Sequence, residues 1–284
     1  MRVLLFAILL QATFPRMTAA SSAVDEFPFE HRDGLLWVRV NIPQAAEPLD
    51  FLLDSGAGVS VIDLHAAKRF GLKLGQRVRV RGVGSSASGF WPQHLCVSAG
   101  GVELPKEYLA VDLTELSKAA GRGVDGLIGA DFFKDRVVQI DFKNEKVRLL
   151  PAAAETADTS VVKLKSSPGA LLAAVHVNDS QAQWLRVDSG CASALQWVAG
   201  SSTKPGARDT VSIGLAPVSI PKGVTRVQLG TATFDSVPTG FHRRPIFPGE
   251  AGILGNGLLA CFDRVTFDAR TGRLLLEGRR SRFQ

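Results

Sequence analysis

The tripeptide Asp-Ser-Gly occurs twice in this chain, each time directly after an apolar run. The first copy is LDFLLDSGAGVSVI at residues 49–62, and its aspartate is Asp54. The second copy is QWLRVDSGCASAL at residues 183–195, and its aspartate is Asp188. One such tripeptide is typical of an ordinary turn after a strand. Two of them indicate that the chain repeats a unit made of a buried strand and a tight turn.

Further landmarks follow each aspartate in the same order. The run GLIG at residues 126–129 returns as GILG at residues 252–255. The segment VVQIDFKNEKVRLL at residues 137–150 returns as RVTFDARTGRLLLE at residues 264–277. The interval between the copies is nearly constant, which unrelated turn motifs would not preserve. The pattern therefore predicts an internal duplication, with each copy ending in a hairpin.

Most of the other segments have the patterns of short strands. Residues 34–41 alternate apolar and polar side chains, which predicts a half-buried strand. Residues 49–53 are almost continuously apolar, which is typical of a strand buried on both faces. Short helices are predicted at residues 64–70 and 112–120, because each segment is followed by a glycine suited to a helix C-terminus. The predicted fold class is all-β with a few short helices.

The amino terminus has the pattern of a secretory signal peptide at residues 1–23. Arg2 precedes an uninterrupted apolar run at residues 3–10, and small residues suited to cleavage follow. A retained N-terminal anchor is the alternative interpretation. No other apolar stretch reaches the roughly 18 residues that a membrane-spanning helix needs. We therefore expect an exported protein, periplasmic or secreted, with no transmembrane segment after the signal is removed.

A linker is predicted at residues 151–160, where PAAAETADTS is small, polar and without periodicity. It divides the chain into a predicted first lobe at residues 24–150 and a second lobe at residues 161–284. With 284 residues, of which 45% are hydrophobic, the chain is long enough for one large or two medium cores.

Composition argues against two classes of protein. The net charge of +6 is spread along the chain, and the few aromatic residues do not interleave with basic ones, so we expect no nucleic-acid partner. The three cysteines, Cys96, Cys191 and Cys261, are too few for a disulfide scaffold. An exported compartment permits one bridge, and the sequence leaves open which two would pair.

Other catalytic motifs are absent or misplaced in the sequence. Residues 121–126 (GRGVDG) match the dinucleotide fingerprint formally, but a predicted helix precedes them where the fingerprint needs a strand. The sequence contains no His-Glu-x-x-His or Cys-x-x-Cys motif and no Gly-x-Ser-x-Gly motif. We therefore predict no cofactor and no metal, and neither a zinc hydrolase nor a serine hydrolase.

As a set, these motifs resemble the aspartic peptidases of the pepsin and retroviral-protease type. An apolar pair before Asp-Ser-Gly-Ala, a later apolar pair before glycine, and a closing hairpin carry the resemblance, which covers about residues 34–278. It implies a bilobal fold of two β-barrel lobes with a cleft between them. It implies a monomeric aspartic endopeptidase that cleaves peptide or protein substrates in that cleft. It also assigns the site residues: Asp54 and Asp188 as the catalytic pair, Ser55 and Ser189 as hydrogen-bonding partners across the interface, and Gly56 and Gly190 as supports of the two turns.

The physical case for pairing the two aspartates is independent of the resemblance. Two carboxylates about 3 Å apart cannot both ionise, so they share a proton and titrate as a pair. One can then accept a proton from a bound water while the other donates one to the substrate carbonyl, without a metal or a covalent intermediate. Gly56 and Gly190 are expected to permit the tight turns that aim the carboxyl groups.

The sequence also departs from the family in ways that keep alternatives open. Ala57 and Cys191 stand three residues after the aspartates, where pepsin-type enzymes usually carry a hydroxyl. Without it the pair should hold its proton to higher pH, which predicts an optimum nearer neutral than strongly acidic. Cys191 is either a small core residue or half of a bridge. Residues 82–89 are the candidate flap, or simply a mobile hairpin end, and Tyr108 lies outside that region.

Two other functions remain as alternatives to the peptidase. The chain could be a catalytically inactive peptide-binding protein with the same two lobes. In a third interpretation the second lobe is only structural, and the first lobe dimerises to rebuild a pair of aspartates.

Overall fold

The computed structural model describes residues 24–82, 85–199, 208–213 and 216–280. The predicted signal peptide at residues 1–23 lies outside the described residues. We call residues 24–150 the first half and residues 161–280 the second half.

The first half consists of short strands with two short helices and one 3₁₀ turn. Its strands are β1 (Asp25–Pro28), β2 (Glu30–Arg32), β3 (Leu35–Val40), β4 (Leu49–Leu53), β5 (Val61–Asp63), β6 (Gln76–Gly82), β7 (Ser85–His94), β8 (Ser98–Ala99), β9 (Val102–Glu103), β10 (Glu107–Val111), β11 (Gly126–Ile128), β12 (Val137–Asp141) and β13 (Lys146–Leu150). The helices are α1 (Leu64–Arg69) and α2 (Thr114–Ala119), and the 3₁₀ turn is Ala130–Phe132.

In its described residues, the second half follows the same pattern with one short helix. Its strands are β14 (Ser160–Ser167), β15 (Ala170–Val177), β16 (Gln183–Asp188), β17 (Leu195–Val198), β18 (Arg208–Ile213), β19 (Ala216–Leu229), β20 (Ala232–His242), β21 (Gly252–Gly255), β22 (Phe262–Asp268) and β23 (Arg273–Arg279). The helix is α3 (Asn256–Leu259). The all-β class predicted from the sequence is confirmed.

The two halves arrange their strands in the same order. Hydrogen-bonded neighbours run β2-β3-β4-β11-β5-β10-β7-β6 in the first half and β14-β15-β16-β21-β17-β20-β19-β18 in the second. In the second half β15 also pairs with β19, so the six strands from β15 to β19 along that order form a closed cycle. In the eight-stranded sheet of the first half, β2 and β6 are the edge strands.

The strand that each apolar-apolar-glycine landmark forms lies between the strands that flank its aspartate. In the first half β11 pairs with β4 in parallel and with β5 antiparallel. In the second half β21 pairs with β16 in parallel and with β17 antiparallel. Each aspartate loop is therefore held on both sides by a buried strand, which is the arrangement needed to fix a side chain at the end of a strand.

A shared sheet joins the halves. The predicted hairpins are present as β12–β13 and β22–β23, and β12 pairs with β22 antiparallel over five residue pairs. Strand β14 continues this sheet from β23 into the second half. The ring centroids of Phe133 in the first half and Phe267 in the second lie 4.9 Å apart. Backbone hydrogen bonds and buried apolar packing thus cross the boundary between the halves.

Strand β3 differs from the half-buried strand that its alternating sequence predicts. Its residues are buried on both faces, and Arg39 is the exposed exception. One face packs into the large core that contains Leu36 and Val38, while Leu35 and Trp37 belong to a second apolar cluster. The predicted alternation of side chains between two faces was therefore correct. The prediction that one face is exposed to solvent was not, because a second core covers that face.

Both predicted helices are present, although α2 begins at Thr114, two residues later than predicted. The carboxylate of Asp63 accepts a hydrogen bond from the Ala66 amide at 2.9 Å and so caps α1. Gly71 and Gly121 follow α1 and α2 with φ of 66° each, in the left-handed region that glycine adopts at little cost.

The candidate flap region is more ordered than predicted. Strands β6 and β7 form a hairpin in which Gly82 pairs with Ser85, so residues 85–89 belong to a strand rather than to a long tip. Residues 83–84 lie outside the described part of the chain. In the second half, the corresponding hairpin is formed by β18 and the 14-residue β19.

Within the described residues, no helix is both long enough and apolar enough to cross a membrane.

We predict that the shared sheet makes the halves depend on each other for stability. Phe267→Ala should lower the free energy of unfolding by about 3–5 kcal/mol, because it leaves a cavity in a fully buried site against Phe133. Urea denaturation followed by circular dichroism measures this. The control Val224→Ala changes a side chain that is 64% exposed and should cost less than about 0.5 kcal/mol. A cost below about 1 kcal/mol for Phe267→Ala would show that the interface contributes little.

Candidate active site

The two predicted aspartates come together at one place in the fold. Asp54 follows β4, and its amide donates to the carbonyl of Ile128 in β11 at 2.9 Å. Asp188 is the last residue of β16, paired with Gly255 in β21. Each aspartate therefore stands at the end of a strand that β11 or β21 supports. Both carboxyl groups are half-buried and line the same cavity.

Each carboxyl group lies against the glycine of the opposite loop. A methyl group built on Gly56 would overlap the carboxyl group of Asp188, and one built on Gly190 would overlap that of Asp54. Neither glycine has a positive φ, so the turn itself does not require glycine at these positions. They are needed because the neighbouring carboxyl group occupies the space of a side chain.

The two serines form a reciprocal set of four buried hydrogen bonds. The Ser55 amide donates to Ser189 Oγ at 2.9 Å, and the Ser189 amide donates to Ser55 Oγ at 3.1 Å. The Ser55 hydroxyl donates to the Val187 carbonyl at 2.9 Å, and the Ser189 hydroxyl donates to the Leu53 carbonyl at 2.8 Å. Each hydroxyl therefore ties the opposite loop to the strand that precedes the opposite aspartate. This geometry is the cross-interface bonding that the resemblance implies.

The backbone stabilises the two carboxylates unequally. Asp54 Oδ1 accepts hydrogen bonds from the amides of Gly56 and Ala57, each at 3.0 Å. Asp188 Oδ1 accepts one from the Gly190 amide at 2.9 Å. The Cys191 amide donates instead to the Asp188 backbone carbonyl at 3.2 Å. An anion at Asp54 is therefore better supported than an anion at Asp188.

The pKa values of the pair shift in the direction that this geometry predicts. Burial raises the pKa of Asp54, although the amides of Ala57 and Gly56 oppose the rise. Burial and the neighbouring charge of Asp54 raise the pKa of Asp188 well above its usual value. The two groups titrate as a pair, and the shared proton is more favourable on Asp188.

Glycines 129 and 255 allow the supporting strands to pass beneath the loops. A side chain on Gly129 would overlap the backbone of Val59, and one on Gly255 would overlap the carbonyls of Ser193 and Cys191. The following amides donate upward, from Ala130 to the Ala57 carbonyl at 2.8 Å and from Asn256 to the Cys191 carbonyl at 2.8 Å. The two apolar-apolar-glycine landmarks thus pack under the aspartate loops.

Sequence reasoning missed two polar supports, which differ between the halves. In the first half, the carboxylate of Asp131 accepts hydrogen bonds from both the amide and the hydroxyl of Ser60, at 3.0 and 2.8 Å. In the second half, Asn256 Nδ2 donates to the Ser189 carbonyl at 2.5 Å and to the Gly34 carbonyl at 2.9 Å. Asn256 therefore also ties the β2–β3 turn of the first half to the second aspartate loop.

A second missed feature is the ion pair of Arg186 and Glu250. Arg186 lies two residues before Asp188, and its guanidinium contacts Glu250 at 2.6 and 2.9 Å. Its positive charge lowers the pKa of both aspartates, against the effect of burial. The available signal was the charged residue inside QWLRVD, a run predicted to be a buried strand.

The aspartates line a cavity of about 560 Å³ that residues from both halves form. Its second-half wall includes Gly169, Arg186, Cys191 and Phe247. The wall from the first half is largely apolar and includes the inner face of the β6–β7 hairpin: Leu52, Val59, Val61, Val78, Val80, Trp91, Leu109, Val111, Leu113, Leu116 and Leu127. Alternate residues Arg77, Arg79 and Arg81 of β6 are exposed, and Arg79 and Arg81 also line the cavity.

The three cysteines are present as thiols, and no disulfide joins them. Cys191 is buried beside Asp188, and burial together with that carboxylate raises the pKa of its thiol to about 12. It packs with Ile220 and Ile253. Of the two interpretations of Cys191, the small core residue is therefore correct.

A group of three side chains could in principle hold a cation. Ligand atoms of Asp63, His65 and Asp112 lie within 4.8 Å of one another, and His65 and Asp112 are exposed. The Asp63 carboxylate, however, already accepts hydrogen bonds from the amides of Ala66 and Leu113, at 2.9 and 3.0 Å. Because one oxygen of Asp63 caps α1 and the other accepts from the amide just before α2, we assign no metal to this group.

The chain is all-β, and its two aspartate loops meet at one cavity. In the comparison with family models, residues 38–132 match the model of an aspartyl protease family. The predicted resemblance is thereby confirmed over that range, which contains Asp54. Asp188 lies outside the matched range. A search of curated proteins found no match.

We predict that the reciprocal serine bonds are a main support of the site. Ser55→Ala should lower the free energy of unfolding by about 2–4 kcal/mol, because it leaves the buried Val187 carbonyl and Ser189 amide without partners. Thermal and urea denaturation measure the loss. Ser88→Ala, which removes an exposed hydroxyl that accepts a hydrogen bond from Arg77, is the control and should change stability by less than about 0.5 kcal/mol. Equal stability of the two variants would contradict the prediction.

Proposed function

We propose that this protein is an aspartic endopeptidase that hydrolyses peptide bonds with a water activated between Asp54 and Asp188. The observation that carries the proposal is the mutual placement of the two carboxyl groups, each packed against the glycine of the opposite loop. The aspartyl protease match over residues 38–132 supports peptidase activity in general. Because one chain brings both aspartates together, the proposal needs no dimer.

The proposed reaction begins with one proton on the pair. Asp54 is the ionised member, since two backbone amides donate to its carboxylate. Asp188 is the protonated member, since burial and the charge of Asp54 raise its pKa further. A water held between them loses a proton to Asp54 as its oxygen attacks the peptide carbonyl carbon. Asp188 gives its proton to the carbonyl oxygen, which produces a neutral tetrahedral diol.

Collapse of the diol completes the hydrolysis. Asp54 gives its proton to the amide nitrogen, the C–N bond breaks, and a diol hydroxyl returns its proton to Asp188. The products are a carboxylic acid and an amine, and the pair ends with the single proton it had at the start. The acid and base roles follow from environments that separate the behaviour of two chemically identical groups.

The lining of the cavity bears on the substrate. The apolar first-half wall, which includes Leu52, Leu116 and Trp91, supports a bulky apolar side chain beside the bond that is cleaved. The β6–β7 hairpin contributes Val78 and Val80 to the same wall, so we propose it as the flap that covers a bound peptide. The proposed substrate is therefore an extended peptide or protein segment with an apolar residue at the cleavage position.

A comparison of three proteins on a peptide library tests the function. Purified mature wild type should cleave peptides at bulky apolar residues, whereas Asp54→Asn and Asp188→Asn should each lose at least about 10³-fold in kcat, because each removes a proton acceptor or donor. Mass spectrometry of the products locates the cleaved bonds. Asp235→Asn changes an aspartate whose side chain is 73% exposed and lies outside the cavity lining, so this control should retain cleavage.

Three results would contradict the proposal in different ways. Equal inactivity of wild type and both variants would favour the peptide-binding alternative. Loss of activity in Asp54→Asn alone would show that the two aspartates of one chain do not form the pair. Cleavage without preference for apolar residues would contradict the assignment of the first-half wall as the substrate pocket.

The pH dependence should follow the raised pKa values. Activity needs one proton on the pair of aspartates. It is therefore lost at high pH, as pH rises through the raised pKa of Asp188, and at low pH, where both groups are protonated. We expect a bell-shaped pH–rate profile whose maximum lies nearer neutral than strongly acidic. A maximum below about pH 3 would contradict this.

The same shift has a consequence for stability that does not require activity. A group whose pKa is raised in the folded state stabilises it fully below the unfolded value, and this stabilisation is lost as pH rises through the folded value. As pH rises from acid to neutral, the free energy of unfolding of wild type should therefore decrease relative to that of Asp188→Asn. At neutral pH, Asp188→Asn should be more stable by about 0.5–2 kcal/mol, since it removes a desolvated charge beside another. Denaturation curves at several pH values measure the difference.

We also propose that the protein is exported, on the basis of the signal-peptide pattern at residues 1–23. The proposed location is periplasmic or secreted.

A further inference from the structure

The two halves differ at equivalent positions in the strands that lead to the aspartates. Leu52 lies two residues before Asp54, and Arg186 lies two residues before Asp188. Leu52 forms part of the apolar wall of the cavity. Arg186 lines the same cavity, yet only 7% of its side chain is exposed. A buried guanidinium is costly unless its charge and its donors are matched, so its partners show what it does.

Most of the donors of Arg186 have a defined acceptor. Nε and Nη2 donate to the two carboxylate oxygens of Glu250 at 2.9 and 2.6 Å, in the fork geometry that suits arginine. The Glu250 side chain is 9% exposed. The ring of Phe247 covers the guanidinium, with its centroid 3.9 Å from Cζ. The ion pair is therefore held in one orientation.

The remaining nitrogen of Arg186 reaches the first half. Nη1 donates to the Gly56 carbonyl at 2.9 Å and to the Gly169 carbonyl at 2.9 Å. Gly56 is the residue whose space the Asp188 carboxyl group occupies. Gly169 lies between β14 and β15, close enough to Gly58 that a methyl group on Gly58 would stand 3.2 Å from its Cα. One guanidinium thus ties the Asp54 loop to the second half at the point where the carboxyl groups meet.

We propose that Arg186 is a positioning residue which, held by Glu250, fixes the Asp54 loop against the second half and thereby sets the separation of the two aspartates. Its charge faces the same site. This inference deepens the proposed function and rests on it for its catalytic meaning. The effect of Arg186 on the titration of the two aspartates can be measured even in a protein that has no activity.

In the described residues, the charged and titratable groups around the pair come from four places. Arg79 and Arg81 of β6 line the same cavity and are exposed. Arg186 is on β16, Glu250 is in the loop before β21, and Cys191 is in the second aspartate loop. The Cys191 thiol stays neutral over the working range, since burial raises its pKa to about 12. Arg186 is the group that lowers the pKa of both aspartates, and Glu250 offsets its charge. Removing the charge of Arg186 should therefore raise the pKa values of the two aspartates, whereas removing the charge of Glu250 should lower them.

The titration of the aspartate carboxyl carbons by ¹³C NMR tests the inference without an activity assay. Signals of the pair are identified by their loss in Asp54→Asn and Asp188→Asn. In the double variant Arg186→Met, Glu250→Met, the midpoint should rise by about one pH unit, since the nearby cation is gone and no unpaired anion is left. In Glu250→Gln the amide keeps the size of the side chain and the cation is no longer neutralised, so the midpoint should fall.

A matched control comes from the ion pair of Arg264 and Glu277, which joins β22 to β23 at 3.3 Å and does not line the cavity. The variant Arg264→Met, Glu277→Met should leave the midpoint unchanged. An unchanged or raised midpoint in Glu250→Gln overturns the inference by itself, so the test still decides if the double variant does not fold. An unchanged midpoint in a folded double variant overturns it as well.

Kinetics separate positioning from simple loss of stability. Arg186→Lys keeps the charge but cannot form the same set of hydrogen bonds, so kcat should fall about 10- to 100-fold with a smaller change in KM. Wild-type kcat in a folded Arg186→Lys protein would overturn the positioning role. If wild type cleaves no peptide while the two midpoints shift as expected, the proposed function fails and the electrostatic assignment of Arg186 stands.

Discussion

Two carboxyl groups that face each other in a half-buried cleft repel when both are charged, and each also loses hydration there. The structure around Asp54 and Asp188 offsets this cost by three means. A shared proton removes one charge, backbone amides donate to the carboxylate oxygens, and Arg186 supplies a cation nearby. The donors are unequal, because Asp54 receives two amides and Asp188 one. A chemically symmetric pair thereby acquires distinct members.

Repulsion would separate the loops if they were free to move. The hydroxyl groups of Ser55 and Ser189 prevent this by bonding to the backbone of the opposite loop and strand. Gly56 and Gly190 allow the approach, since any side chain there would collide with a carboxyl group. The shared sheet of β12 and β22 holds the halves together on a larger scale. Local bonds and the distant sheet therefore serve one geometric requirement.

The two halves have the same strand order but different side chains at corresponding places. Leu52 corresponds to Arg186, and Ala57 corresponds to Cys191. The first half consequently offers a largely apolar wall with the exposed Arg79 and Arg81 at β6, whereas the second offers the buried ion pair of Arg186 and Glu250. This division suits a site in which one half binds a side chain of the substrate and the other half stabilises the reacting groups.

Much of this arrangement was readable from the sequence. The strand and turn patterns predicted the all-β class and the hairpins at residues 137–150 and 264–277. The resemblance to aspartic peptidases implied the pairing of Asp54 with Asp188. These features depend on residues close together in the chain, or on a pattern that occurs twice. The prediction that β3 is only half-buried was wrong, because a second apolar core covers its other face and no local pattern reveals that core.

Only the tertiary structure decided how the two copies meet. The sequence determined that two Asp-Ser-Gly turns would each follow a buried strand. It did not determine that Gly56 accommodates the carboxyl group of the opposite aspartate, or that Arg186 bonds to a carbonyl 130 residues away. Such contacts join residues from different halves, and their geometry follows from the packing of whole sheets. The identities of the central residues were therefore set locally, whereas their charge balance and spacing were set by the fold.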